Sequence, residues 1–238
     1  MAKLQHPMPP VTISIAQLMP FGDAWNANGK KLSRSPPFSS NNLGGVFERA
    51  VAASLATMLG GIPVVPPTSS TELIPPQPDC VEVGEIRTVG GVRPQNFDVV
   101  YRPDGIRFAF DAKTLNDLAS VRKNWQNMIN DLATEATTIH SRFPYAVVAF
   151  LVAIPEPALL TAQRDPMIET LERLARRVDV NDPIYLAEAI SLVVWDPSNG
   201  STSAEVPGLR SSLSLDNFST QVESAYVLRY KGLPPHAG

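Results

Sequence analysis

The sequence predicts a mixed α/β fold with a central mixed β-sheet flanked by helices. Apolar residues recur at three-to-four spacing after Ser39 and again over 115–139, the signature of amphipathic helices. Runs of strand length, rich in Val, Ile and Phe, fall at 81–89, 97–101, 106–112, 146–154 and 190–196. These two kinds of segment are interleaved along the chain, which is the layout of a sheet with helices packed on it.

Taken in order, residues 1–40 lack sustained periodicity and are expected to form an irregular N-terminal arm. Within them GKKLSRSPP, residues 29–37, reads as an exposed basic loop. Residues 41–238 are expected to form a single catalytic domain. Its first helix is capped by Asn41 or Asn42, buries Phe47, Val51, Leu55 and Met58, and ends at Gly60-Gly61. The six prolines between Ile62 and Cys80 exclude a regular element and imply a proline-rich loop over 61–79. Val81–Val89 is the first strand. Two more strands span 96–112, with Ile106, Phe108, Phe110 and Ala112 on one side and Asp111 and Lys113 on the other, because side chains alternate.

The clearest helix spans 115–139, with Leu118, Val121, Trp125, Met128, Leu132, Ala136 and Ile139 inward. AVVAFLVAI, residues 146–154, follows as a buried strand. Asp165-Pro166 opens a helix through Val178 with Ile168, Leu171, Leu174 and Ala175 inward. Ile190–Asp196 and Ala225–Tyr230 complete the set as strands.

The chain has 238 residues and a formal charge of −3, which argues against a non-specific nucleic-acid coat. Positive charge is nevertheless concentrated around the Asp111–Lys113 strand: residues 84–125 hold seven Lys/Arg against five Asp/Glu. The longest apolar run has nine residues, about half of the ~20 that span a bilayer, so no membrane partner is expected. A single cysteine, Cys80, forms no internal disulfide and suits a reducing, cytoplasmic setting. His6, His140 and His236 show no zinc-ligand spacing, and no phosphate-binding G-x-x-x-x-G-K-[ST] loop is present.

The chemistry-bearing residues are Asp98 in one strand, Asp111-Ala112-Lys113 at the end of the next, and Glu48 in GVFERAV on the preceding helix. This pattern resembles the PD-(D/E)xK nuclease superfamily, with its restriction-endonuclease-like core, and is most similar to type II restriction endonucleases. The resemblance covers roughly residues 43–154. It departs from the family pattern at the first acid, which stands four residues after Pro94 rather than beside a proline.

The resemblance implies a Mg2+-dependent endonuclease, with Mn2+ able to substitute, that cuts duplex DNA as a homodimer. Glu48, Asp98, Asp111 and Lys113 would be catalytic. Asp98, Asp111 and the Ala112 carbonyl would hold the ion, with Glu48 on a water of the ion or on a second ion. Carboxylate oxygens are the ligands Mg2+ prefers, and a hydrolase needs the charge neutralisation such an ion supplies. Lys113 would orient the attacking water and offset phosphate charge. Arg93, Gln95, Arg122 and Lys123 are candidates for DNA contact. The alternatives are a structure-selective or repair nuclease of this fold, and a DNA-binding module without chemistry.

Geometry makes one sharp demand: Asp98 must share a face with Asp111. A four-residue loop after Tyr101, or a bulge, satisfies it. A regular three-residue loop would place Asp98 beside Phe110 on the wrong face.

Overall fold

The computed structural model describes Leu4 and residues 7–32, 43–119 and 121–236, apart from the Arg122 side chain. The Asn41/Asn42 cap and residues 33–37 of the basic loop lie outside the described residues, as does the contact expected of Arg122.

A sheet of six strands forms the centre, in the spatial order β1 to β6: Val64–Val65, Val81–Val89, Pro94–Tyr101, Phe108–Thr114, Val147–Pro155 and Ala189–Trp195. Strand β3 runs antiparallel to both β2 and β4; β4, β5 and β6 are parallel, and β1 lies parallel to β2. Parallel neighbours require crossovers, and helices α3 (Val121–His140) and α4 (Thr161–Leu174) supply them. They cover one face, where Ala109, Val148, Phe150 and Leu192 meet Met128, Leu132 and Leu171. The other face is covered by α1 (Ile15–Ala27), α2 (Leu43–Met58) and α5 (Leu215–Tyr230), with Phe108 and Phe110 against Phe47, Leu55 and Phe218. Strand β5, between two parallel partners, is buried at every position, as a doubly covered strand must be. Burying each such Leu or Phe contributes roughly 1.5–3 kcal/mol.

Several expectations are corrected. Residues 15–27 of the supposed irregular arm form α1, which buries Leu18, Phe21 and Trp25. Ser14 and Gln17 form a capping box at its start, a legible signal that Pro20 inside the helix obscured. Residues 225–230 are not a strand but the last turns of α5. Phe218, Val222, Tyr226 and Tyr230 repeat every four residues and are all buried, and Ser214 caps the helix by accepting from the Asp216 amide. Within six residues a helical stripe and a strand look alike; over sixteen they do not.

Helix α4 begins at Thr161, so Pro166 stands inside it rather than at its first position. Helix α3 begins at Val121, not 115, and Leu118 is exposed in the turn before it. Val64–Val65, inside the proline-rich segment, pairs as a short edge strand, where prolines on either side disturb no central ladder. Ile106 precedes β4 and packs in the α3 cluster, opposite to Phe108 and Phe110.

Among the described residues no helix is long and apolar enough to cross a membrane.

Candidate active site

The site forms where β3 and β4 part. The connection after Tyr101 has six residues, Arg102 to Arg107, not the expected four, and Tyr101 pairs with Phe108. The parity is the same in either case. The last ladder pair is Val99 with Phe110, so one step further Asp98 faces Asp111. Beyond that step the Ala112 N–H donates to Asp98 Oδ2 at 2.8 Å. A side-chain carboxylate thus takes the place of a ladder carbonyl and is held by the separating strands.

The opposite edge of β3 contributes as well. Between the pairs Val83–Val99 and Ile86–Phe97, two residues of β2 stand against Asp98 alone. This is a β-bulge, and Gly84 adopts φ 127°, a conformation that disfavours other residues. The bulge shifts the side-chain alternation of β3 at Asp98: Phe97 and Val100 both pack toward α3, whereas Val99 packs toward α2.

Lys113, two residues after Asp111 on the same side of β4, forms ion pairs with Asp111 and with Glu135 of α3, the latter at 2.8 Å. Glu135 Oε1 also accepts from Gln95 Nε2 at 3.1 Å. Asp111 is 8% exposed and Glu135 4%, while the Lys113 side chain keeps 24% exposure, so the ammonium marks the open side of the cluster. Glu48, partly buried on α2, lies within electrostatic reach of both aspartates.

Four acids therefore crowd together around Asp111, with one ammonium that two of them, Asp111 and Glu135, contact, and their ionisation reflects it. Burial, then the charge and hydrogen bond of Asp111 and the charge of Glu48, push Asp98 up to about 10, against the opposing Ala112 amide. Burial and the Asp111 charge raise Glu48 to about 7, with Arg49 opposing. Burial and Asp111 likewise raise Glu135 to about 8, with Lys113 opposing. Burial works upward on Asp111 too, but hydrogen bonds from Asp98, Lys113 and Glu135 and the Lys113 charge hold it below the usual carboxylate range. Burial works downward on Lys113, yet Asp111 and Glu135 raise it on balance. Asp111 is thus the anion, Asp98 a protonated donor to it, and Lys113 the cation.

Among the described residues no group of three or more His, Cys, Asp and Glu side chains is poised to hold a metal ion. The oxygens are turned onto protons and onto Lys113 instead. The donor set nevertheless fits a hard divalent cation. Acid oxygens outnumber cations, and buried Glu135 Oε2 has no hydrogen-bond donor; Glu135 shares a hydrogen bond with Asp111 only when one of the two acids is protonated. Carboxylates forced together in this way are held by protons or by a cation.

Of the residues singled out from sequence, Asp98, Asp111, Ala112 and Lys113 are brought together, with Glu48 at electrostatic range. Gln95 joins through Glu135. Arg93 is exposed beside the β2–β3 turn, and Lys123 is exposed in the first turn of α3. Exposed Glu85 accepts from Asn96 instead of joining the cluster. Glu135 was missed: it lies 22 residues beyond Lys113, among the helix residues around the predicted Leu132 and Ala136. Its signal is a charge beside the inward stripe of an otherwise apolar helix face. Comparison of the chain with family models, curated proteins and solved structures finds no match.

Proposed function

We propose that this chain is a Mg2+-dependent endonuclease that hydrolyses phosphodiester bonds of duplex DNA at specific sites, as a homodimer with one cut per subunit. The observation that carries the reading is the meeting of Asp98, Asp111 and Lys113 at the parting of β3 and β4. With it goes the resemblance of Asp98, Asp111-Ala112-Lys113 and Glu48 to the PD-(D/E)xK pattern.

In this reading Asp98, Asp111 and the Ala112 carbonyl hold the cation, with Glu48 beside it. When bound, the ion supplies charge neutralisation at the phosphate and a more acidic water. To serve as a ligand, Asp98 would release the proton that it holds in the metal-free site. Lys113, freed from part of its pairing with Asp111, offers its ammonium to the phosphoryl oxygens or orients the attacking water. Arg93 and Lys123, both exposed, would meet the DNA backbone, whose contacts position a duplex without reading it.

Lys31 supports the same placement. It bridges to Asp117 just after β4, and the Trp25 indole donates to the Asn116 carbonyl, so the exposed Lys30 and Lys31 flank the exit of the site strand.

The test is incubation of purified protein with mixed genomic DNA and Mg2+, followed by sequencing of fragment ends. Discrete ends are expected from wild type, and Asp111→Ala should lose cleavage by roughly a hundredfold or more, as expected when an essential ligand of a catalytic ion is removed. Equal cleavage by the variant would sink the site assignment. A second reading, a DNA-binding module without chemistry, is favoured by the internal pairing of Lys113 with two acids. It predicts intact DNA that is retained by wild type and Asp111→Ala alike.

A further inference from the structure

Lys113 has two anionic partners, and they are not equivalent. Asp111 is the residue that a divalent cation would take, on the reading above, and its oxygens would then be turned toward the ion. Glu135 belongs to a different element, α3, and is held from behind: Gln95 Nε2 donates to the same Oε1 that receives Lys113. Gln95 is itself fixed on β3, three residues before Asp98, and its amide also reaches the Asn96 carbonyl at 3.4 Å. The chain of contacts Gln95–Glu135–Lys113 thus ties the β3 strand to the lysine without passing through either aspartate. Glu135 is 4% exposed. An acid so deeply buried is costly unless something uses its charge, and a helix that needed only packing would carry Leu or Ala at this position.

We propose that Glu135, aimed by Gln95, is a positioning residue that holds the Lys113 ammonium in the site independently of Asp111. Burial and, after it, the Asp111 charge work against ionisation of Glu135; with that charge taken up by an ion or removed by substitution, Glu135 meets the Lys113 ammonium as a carboxylate, and charge-assisted hydrogen bonds are roughly twice as strong as neutral ones. Gln95 accordingly serves the geometry of the site rather than DNA contact. This role rests on the endonuclease reading for its purpose, but the anchoring itself does not need a metal.

The experiment therefore removes Asp111 as a partner without adding an ion. Acetic anhydride labelling of Lys113, followed by peptide mass spectrometry, is compared in wild type, D111N, E135Q and D111N/E135Q. Both substitutions are close in shape to the protonated acids, so packing is preserved. Labelling in D111N should stay within about threefold of wild type. In D111N/E135Q it should rise roughly tenfold, about what the loss of one charge-assisted hydrogen bond allows. D111N/Q95A, which keeps the acid but loses its aim, should give a smaller rise and serves if the first double variant does not fold. A full rise in D111N alone, or none in either double variant, overturns the proposal.

Where wild type binds Mn2+ and cleaves DNA, E135Q should lower kcat about tenfold, less than the roughly 10²–10⁴-fold of a proton-handling group itself because Glu135 acts through Lys113, with KM and Mn2+ affinity unchanged. A change confined to KM would also overturn it. If wild type neither binds Mn2+ nor cleaves, the endonuclease reading fails while the labelling result still decides the role of Glu135.

Discussion

Glu188 and Asp111 are both buried acids beside parallel strands, Glu188 immediately before β6 and Asp111 near the end of β4. Around Glu188 each oxygen has a donor. Oε1 accepts from Arg177 and Arg229, both at 2.7 Å, and Oε2 accepts from the Val148 amide at 2.7 Å, with His140 Nε2 3.3 Å away. Burial raises its pKa, but His140, Arg229 and the amide bring it below the usual value. Around Asp111 the balance is reversed: acids crowd a single lysine, three of them are raised, and one buried oxygen has no donor. The first cluster is closed at its carboxylate, although His140 Nε2, Arg177 Nε and Arg229 Nε have no hydrogen-bond partner, and it ties together α5, the segment after α4 and the sheet. The second is open, with a deficit of positive charge at the rim of the sheet. Closure of that kind suits a structural cluster; an acid surplus is the pattern expected of the ion site proposed above.

The largest test of this contrast is Glu188→Ala. It leaves two buried arginines without their carboxylate and should cost about 3–5 kcal/mol in urea unfolding, with no dependence on Mg2+. A loss under ~1 kcal/mol, the size of an exposed pair, would mean that the cluster is not closed as described.

Next in size is the response to cation. At a hundred times its dissociation constant, Mg2+ should stabilise wild type by about 2.7 kcal/mol, through binding to the folded state alone. Asp111→Ala should not respond. An equal shift in the variant would place the ion elsewhere.

The two clusters also predict opposite pH limbs in metal-free buffer. Glu48 and Glu135 are raised from 4.5 to about 7 and about 8. From 4.5 up to those values the folded state keeps protons that the unfolded chain has released, so their contribution falls as pH rises and is gone above about 8, while Asp98, raised to about 10, carries the same fall further. Glu188 is lowered, so its contribution is present above the unfolded value and is lost on acidification. Glu48→Gln should make the fall between about 4.5 and about 7 shallower and leave both the acid limb and the fall carried by Glu135 and Asp98 at higher pH in place, as read by unfolding across pH. A variant curve that parallels wild type on the alkaline side breaks the assignment.

The smallest expected effect is the most diagnostic. Asp98 is already protonated at neutral pH, and Asp98→Asn presents the same shape, with a donor to Asp111 and an acceptor for the Ala112 amide. Stability in metal-free buffer should change by no more than ~0.5 kcal/mol, while the Mg2+ response disappears. Stability loss of the size expected for Glu188→Ala would show that Asp98 is an ionised structural acid.

Most of the fold was legible locally. The bounds of β2 and β5, the end of α2 at Gly60-Gly61 and the inward stripe of α3 follow from periodicity and turn residues that act over one or two turns. The errors fall where local signals compete: Pro20 and Pro166 inside helices, and AYVLRY, whose aromatic and β-branched residues suit a strand in isolation. Tertiary burial of Phe218, Val222 and Tyr226 outweighs that local preference.

By itself the sequence determined the alternation of helix and strand, the apolar faces, and the presence of Glu48, Asp98, Asp111 and Lys113 on successive elements. The tertiary structure alone decided that Asp98 meets Asp111 through a six-residue connection and a bulge on the neighbouring strand, and that Glu135 and Gln95 reach Lys113. The reason is range. Side-chain period and turn chemistry are encoded within a few residues, whereas strand register, bulges and the approach of α3 to β4 depend on how whole layers pack. A buried acid 22 residues along the chain becomes a neighbour only through that packing.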